Sequence, residues 1–275
     1  MKSPPTPDPK RAPARVPPAN RGDKSGRADP ANGRRPWTAV AQVFVLVTVG
    51  TLAVEFGGRA LGLEGYTHVT LAALFLTVAV QAAQRTPGGL AAHGLWLGGL
   101  LEPPTEPSPG ALGGVLDLLT TLRQAMPSAL RETGVALATA ALTFPPFVAG
   151  FYLYHQPQHG FNPQAFAAAA PVDSLLSQLL VVALPEEALF RGYIQSQLMQ
   201  HFPSRFRWPV TALLIQAALF AILHFVVNLD PVRLAVFFPG LLFGVLRVLR
   251  GGIGAALVYH ALCNLLGEVL VRGFL

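Results

Sequence analysis

Glu186, Glu187 and Arg191 stand in one apolar stretch of the chain, Phe220 and His224 in the next, and His260 and Asn264 in a third. Carboxylates and imidazoles exchange protons near neutral pH, and side-chain N–H donors can hold an oxygen on which negative charge develops. Those are the components of water activation and acyl transfer. A charged group at membrane depth costs about 2.5–3.5 kcal/mol on insertion scales, so it is a functional candidate by default. Three consecutive apolar segments that each carry ionisable or amide groups point to an active site assembled inside a bilayer.

The spacing divides the labour. Adjacent residues on a helix point about 100° apart, so Glu186 and Glu187 cannot serve the same atom. Glu187 and Arg191 are spaced i,i+4 with the acid first, the favourable order for an ion pair that neutralises both in apolar surroundings. Glu186 is left facing elsewhere, where a poorly solvated carboxylate suits a general base. Pro185 has no N–H for the carbonyl of Val181, which loosens the helix beside the carboxylates. His224 has Phe220 one turn back on its own face, and His260 and Asn264 share a face as two side-by-side donors for an oxyanion. Each motif also has a plainer reading: a structural Glu–Arg pair, a core histidine, and an inter-helix hydrogen bond from Asn264.

These groups need helices that cross a membrane, and the composition supplies them. The chain is 52% hydrophobic and 12% charged, against about 25% charged in soluble domains. The expected fold is all-α, a polytopic transmembrane bundle of about seven spans plus interfacial or re-entrant helices. The expected spans are 37–54, 67–83, 133–153, 172–200, 208–227, 231–249 and 252–271. Between them, the run 89–101 is too short to cross alone and reads as re-entrant or interfacial. Residues 111–131 are amphipathic and are expected to lie along the membrane surface. Asp230-Pro231 reads as a helix start, Pro239-Gly240 as a bend, and Gly244 as a point of close packing. Glu268 is expected to pair with Arg272.

Three regions follow: a disordered basic tail at 1–36, N-terminal transmembrane helices at 37–153 with the interfacial or re-entrant part near 86–131, and a catalytic helical core at 170–272. The tail holds nine Lys/Arg against three Asp/Glu, so the whole net charge of +6 resides in it. It is expected on the cytoplasmic face under the positive-inside rule, touching anionic lipid rather than nucleic acid. It lacks the apolar core and cleavage site of a signal peptide. Arg205, Arg207, Arg247 and Arg250 fall on the same side, whereas Arg59, Arg233 and Arg272 do not. Cys263 is the only cysteine, which rules out an internal disulfide and a thiolate metal cage. The histidines at 68, 93, 155, 159 and 201 fall in loops or near span ends and read as structural.

The ordered trio EEALFR, FAILH and HALCN resembles the CPBP family, the CAAX protease and bacteriocin-processing family of intramembrane endopeptidases. The resemblance covers roughly 170–272. It implies a helical bundle with a cavity inside the bilayer and glutamate-dependent, metal-independent peptide hydrolysis without a cofactor. By position, Glu186 would deprotonate water with help from His224, and His260 and Asn264 would stabilise the oxyanion. Glu187 and Arg191 would orient and charge-balance the site. The stretch from Pro231 to Asn264 is similar to the myxosortase branch, which implies a membrane-anchored protein or C-terminal sorting tail as substrate and a bacterial inner membrane as location. Two alternatives keep the same residues. Glu186, His224 and His260 could form the two-His-one-carboxylate set of a catalytic zinc, although the H-E-x-x-H helix is absent. A non-catalytic scaffold, immunity protein or transporter could use the same groups for proton relay.

Overall fold

The computed structural model describes residues 36–97, 109–110, 113–157, 160–164, 171–204 and 208–274. The basic tail lies outside them except for Pro36, which opens the first helix. Eight helices and no strand occur among the described residues. They are α1 (Pro36–Leu61), α2 (Thr67–Gln84), α3 (Gly89–Ala92), α4 (Gly113–His155), α5 (residues 171–201), α6 (Val210–Asn228), α7 (Phe237–Arg250) and α8 (Gly254–Phe274). Asp230 caps the 3-10 turn before α7, accepting from the N–H of Val232 at 3.0 Å.

Among the described residues six segments are long and apolar enough to cross a membrane: Trp37–Leu61, Glu64–Gln84, Gly113–His155, Val210–Asn228, Pro231–Arg250 and Gly254–Phe274. Their outer faces carry large apolar side chains with no protein partner, such as Val45, Leu46 and Val49 on α1, Leu142, Phe147 and Leu153 on α4, and Phe238 on α7. In water such a surface would drive association, whereas lipid tails satisfy it. The chain is an integral, multi-pass membrane protein with an all-α bundle.

The fourth expected span, 172–200, is not among these six; as α5 it is helical throughout and lies at the centre of the bundle, packed against α1, α2, α6, α7 and α8. Every residue from Ala188 to Leu198 is buried. It is not a uniform α-helix. Two π-helical stretches, Gln178–Ala183 and Ala188–Ile194, flank the α-helical turn Leu184–Glu187. The N–H of Leu184 bonds the carbonyl of Leu179, and that of Gln195 the carbonyl of Phe190, five residues back in each case. Pro185 cannot donate, and widened turns rematch the backbone donors around it.

The N-terminal half departs from expectation in one respect. The amphipathic segment and the third span form one 43-residue helix, α4. At about 1.5 Å per residue it is roughly 65 Å long, about twice a 30 Å hydrocarbon core. Only Glu132 separates the two expected pieces, and Gly134 beside that junction costs about 1 kcal/mol in a helix, too little to end one. Of the run 89–101, the described part forms α3 and a turn that buries Leu90, His93 and Leu95 in the core, while 98–101 lie outside the described residues.

Gly244 brings α7 against α5 and α6. A Cβ there would stand 2.9 Å from a Leu213 methyl and 3.1 Å from Gln195 Oε1, and closer still to the Gln216 amide. We expect Gly244→Val to lower the thermal midpoint in detergent by an overpacking cost of about 1–3 kcal/mol. Gly150→Ala, where a Cβ meets open space, should leave the midpoint within a degree or two of wild type. Equal midpoints for both variants would refute the close packing.

Candidate active site

The turn Leu184–Glu187 places its two carboxylates on different surfaces. Glu187 points into the protein and its side chain is 0% exposed, as is that of Arg191. Arg191 Nη1 donates to Glu187 Oε1 at 2.9 Å, the i,i+4 pair expected from spacing. Arg191 Nη2 reaches across to the carbonyl of Gly240 on α7 at 3.0 Å. Its guanidinium lies over the rings of Phe220 and Phe243, 4.3 and 4.9 Å from their centroids. A buried cation is thereby matched by a carboxylate, a carbonyl and two π faces.

His260 joins the two glutamates. Its Nδ1 lies 2.8 Å from Glu187 Oε1. A carboxylate oxygen only accepts, so Nδ1 carries the proton. Its Nε2 is 3.7 Å from Glu186 Oε2, within ion-pair reach but beyond a hydrogen bond. The ring stacks on Phe243 at 4.6 Å and meets the edge of Phe220 at 5.9 Å. The side chain of Glu186, by contrast, is 18% exposed.

Glu186, His224, His260 and Asn264 all line one cavity of about 500 Å³. His224 Nδ1 donates to the Phe220 carbonyl at 2.9 Å, which leaves Nε2 as the proton acceptor. Asn264 Nδ2 donates to Gln178 Oε1 at 2.9 Å. All four residues expected to do chemistry thus come together from α5, α6 and α8. Phe220 packs between Arg191, His224 and His260.

Some contributors were not readable from spacing. Thr51, Glu55, His68 and Phe75 of α1 and α2 form another wall of the cavity, with Arg233 also on its lining. His68 had been read as structural, and no pattern in the sequence distinguishes it. Glu268 does not pair with Arg272 among the described residues; it accepts from Ser174 and Gln178 instead. His93 is structural as expected. It is buried, bonded through Nδ1 to the Gly89 carbonyl and through Nε2 to Gln197 and Thr86. Burial pushes its imidazole below the ordinary range, opposed by the Gly89 carbonyl and helped by the nearby Arg247 charge. Among the described residues no three His, Cys, Asp or Glu side chains stand in metal-ligating geometry.

The described residues thus place a carboxylate–histidine cluster on the wall of a cavity in a multi-pass helical bundle. Residues 168–266 match the family model described as Rce1-like, the type II CAAX prenyl endopeptidases, and the segment contains all three motifs. That segment, a little over a third of the chain, is similar to the type II CAAX prenyl endopeptidases, which are hydrolases. Neither a curated protein nor a solved structure matches the chain.

The buried pair makes a direct prediction. Arg191→Ala leaves the Glu187 carboxylate with His260 as its remaining donor, at a cost of about 3–5 kcal/mol for breaking a buried ion pair. We expect both accumulation in the membrane and activity to fall. Adding Glu187→Gln, which removes the orphaned charge, should restore accumulation but not activity. Normal abundance of Arg191→Ala would show that the pair is not a stability determinant.

Proposed function

We propose that this protein is a glutamate-dependent intramembrane endopeptidase that cuts a membrane-anchored protein or a C-terminal sorting tail. The observation that carries the reading is the convergence of Glu186, His224, His260 and Asn264 on one cavity. Glu186, the more accessible carboxylate, takes a proton from a water molecule as its oxygen attacks the scissile carbonyl carbon. His224 has an unprotonated Nε2 to share that proton. The carbonyl oxygen becomes an oxyanion, which a proton on His260 Nε2 and an N–H of Asn264 stabilise. Collapse expels the amine, which takes the proton from Glu186. The products are a carboxylate and an amine, with one water consumed.

Electrostatics supports these roles. Protonated on both nitrogens, His260 brings the cluster of Glu186, Glu187 and Arg191 to net zero charge, the least costly state in apolar surroundings. Glu187 then stabilises the imidazolium that faces the developing oxyanion, as a buried carboxylate does beside a catalytic histidine. A cavity of about 500 Å³ is in the range that holds a small ligand and suits a short extended peptide segment. The lining from α1 and α2 would also contact substrate, and it lies outside the family match. We place the basic tail in the cytoplasm on loop charge, and the protein in a bacterial inner membrane on its resemblance to the myxosortase branch.

The test is proteolysis in reconstituted liposomes, with a panel of tagged tail peptides from the same genome as substrates. Wild type should cleave at least one of them. Glu186→Gln should lose about 10²–10⁴-fold in turnover, the range for losing a general base, while inserting and folding normally. A strong zinc chelator should leave wild-type turnover unchanged. Activity lost to the chelator and restored by zinc would instead establish a metalloprotease on Glu186, His224 and His260. Turnover retained by Glu186→Gln would remove it as the base.

A further inference from the structure

Asn264 is held by a chain of hydrogen bonds that starts at a carboxylate. Glu268, one turn further along α8, accepts from the Ser174 hydroxyl through Oε2 and from Gln178 Nε2 through Oε1, the latter at 2.7 Å. Gln178 in turn accepts through Oε1 from Asn264 Nδ2 at 2.9 Å. Ser174 and Gln178 are one turn apart on α5, and Asn264 and Glu268 one turn apart on α8. The four side chains are all partly buried and form a polar ladder between the two helices.

We propose that Glu268 is a positioning residue for the reaction, one that sets the polarity of two amides in series and so fixes Asn264 as a donor. The inference rests on the peptidase reading above. The oxygen and nitrogen ends of a carboxamide are nearly identical in shape, so packing alone does not choose between them. An ionised carboxylate only accepts, and that breaks the tie. Glu268 turns the Gln178 NH₂ toward itself, which turns Gln178 Oε1 toward Asn264. That oxygen also only accepts, so Asn264 presents Nδ2 to it. One N–H of Asn264 is spent on Gln178. The second stays at the cavity wall that Gln178 and Asn264 both line, unspent until an oxyanion forms. Without Glu268 both amides can rotate together, and Asn264 Oδ1 would take the place of the donor and repel the oxyanion.

The experiment is a double-mutant cycle on kcat and KM in proteoliposomes, with one tagged tail peptide that the wild type cleaves. The variants are Glu268→Gln, Asn264→Ala and the pair, each measured for accumulation and thermal midpoint and with turnover expressed per folded molecule. Asn264→Ala should lower kcat about 100-fold with little change in KM, the size of losing one oxyanion donor. Glu268→Gln, whose amide can donate as well as accept, should lower kcat about 10-fold, since the remaining donor is only partly misoriented. In the Asn264→Ala background the same change should cost less than about 2-fold, because coupled residues are non-additive.

A purely structural Glu268 would lower accumulation in both backgrounds and leave kcat per folded molecule unchanged. That result, or an equal kcat loss in both backgrounds, would overturn the positioning role while leaving the peptidase reading intact. Full activity of Asn264→Ala beside an inactive Glu186→Gln would overturn Asn264 as the donor, and this inference with it, but not Glu186 as the base. If Glu268→Gln does not accumulate, Gln178→Met breaks the same chain at its middle link and keeps Glu268 bonded to Ser174. It must show the same kcat loss and the same non-additivity.

Discussion

A carboxylate with no exposure to solvent, Glu187, is the constraint around which the bundle is organised. Moving such a charge out of water is prohibitive unless partners surround it. Its Oε1 receives Arg191 from one turn along α5 and His260 from α8. Arg191 passes the interaction on to the Gly240 carbonyl of α7, which also receives Gln216 of α6 at 3.1 Å. Two oxygen atoms, one from Glu187 and one from Gly240, thus tie together four helices. Lipid tails offer no hydrophobic drive between helices, so such polar ties and close packing at Gly244 supply specificity that water would otherwise provide.

The same constraint shapes the candidate site. Because Glu187 needs donors on the inside of the bundle, its neighbour Glu186 must face another way, and the neighbouring surface is the cavity. Regular α-helix alone would separate the two by about 100°. The widened turns on either side let that local turn hold Pro185 without abandoning helix before or after it. The histidine on α8 then spans both, hydrogen-bonded to the carboxylate that is sealed and within reach of the one that is not.

Much of this was legible because the signals were local and periodic. Long apolar runs specify helices, and i,i+4 spacing specifies partners on one helix face, as for Glu187 with Arg191 and His224 with Phe220. Local rules failed where a distant partner offered more. Glu268 and Arg272 have ideal spacing for a pair, yet a partly buried carboxylate gains more from Ser174 and Gln178 on α5 than from a neighbour on its own helix. The merging of 113–155 into one helix was hidden because no turn residue marks the absence of a break. The wall from α1 and α2 had no signal at all, since Thr51, Glu55 and His68 form a surface only after the bundle closes. His224, near the C-terminal end of α6, and Glu186, in the middle of α5, nonetheless line one cavity, a meeting that position along each helix does not reveal.

Hydrolysis at membrane depth requires water where lipid excludes it, and the proposed reaction gives the two glutamates different parts in meeting that need. A base must touch both water and substrate, so it cannot be sealed; at 18% exposure on a cavity wall, Glu186 is accessible yet poorly solvated. The counter-charge has the opposite requirement. Sealed at 0%, Glu187 acts through low-dielectric surroundings in which its pull on the His260 proton is not screened. Exchanging the two positions would leave a screened counter-charge and a base that water cannot reach. In the proposed reaction the adjacent acids are therefore a single device whose two halves work only in different solvents, and Glu55, His68 and Arg233 add polar groups to the lining of the wet half's cavity.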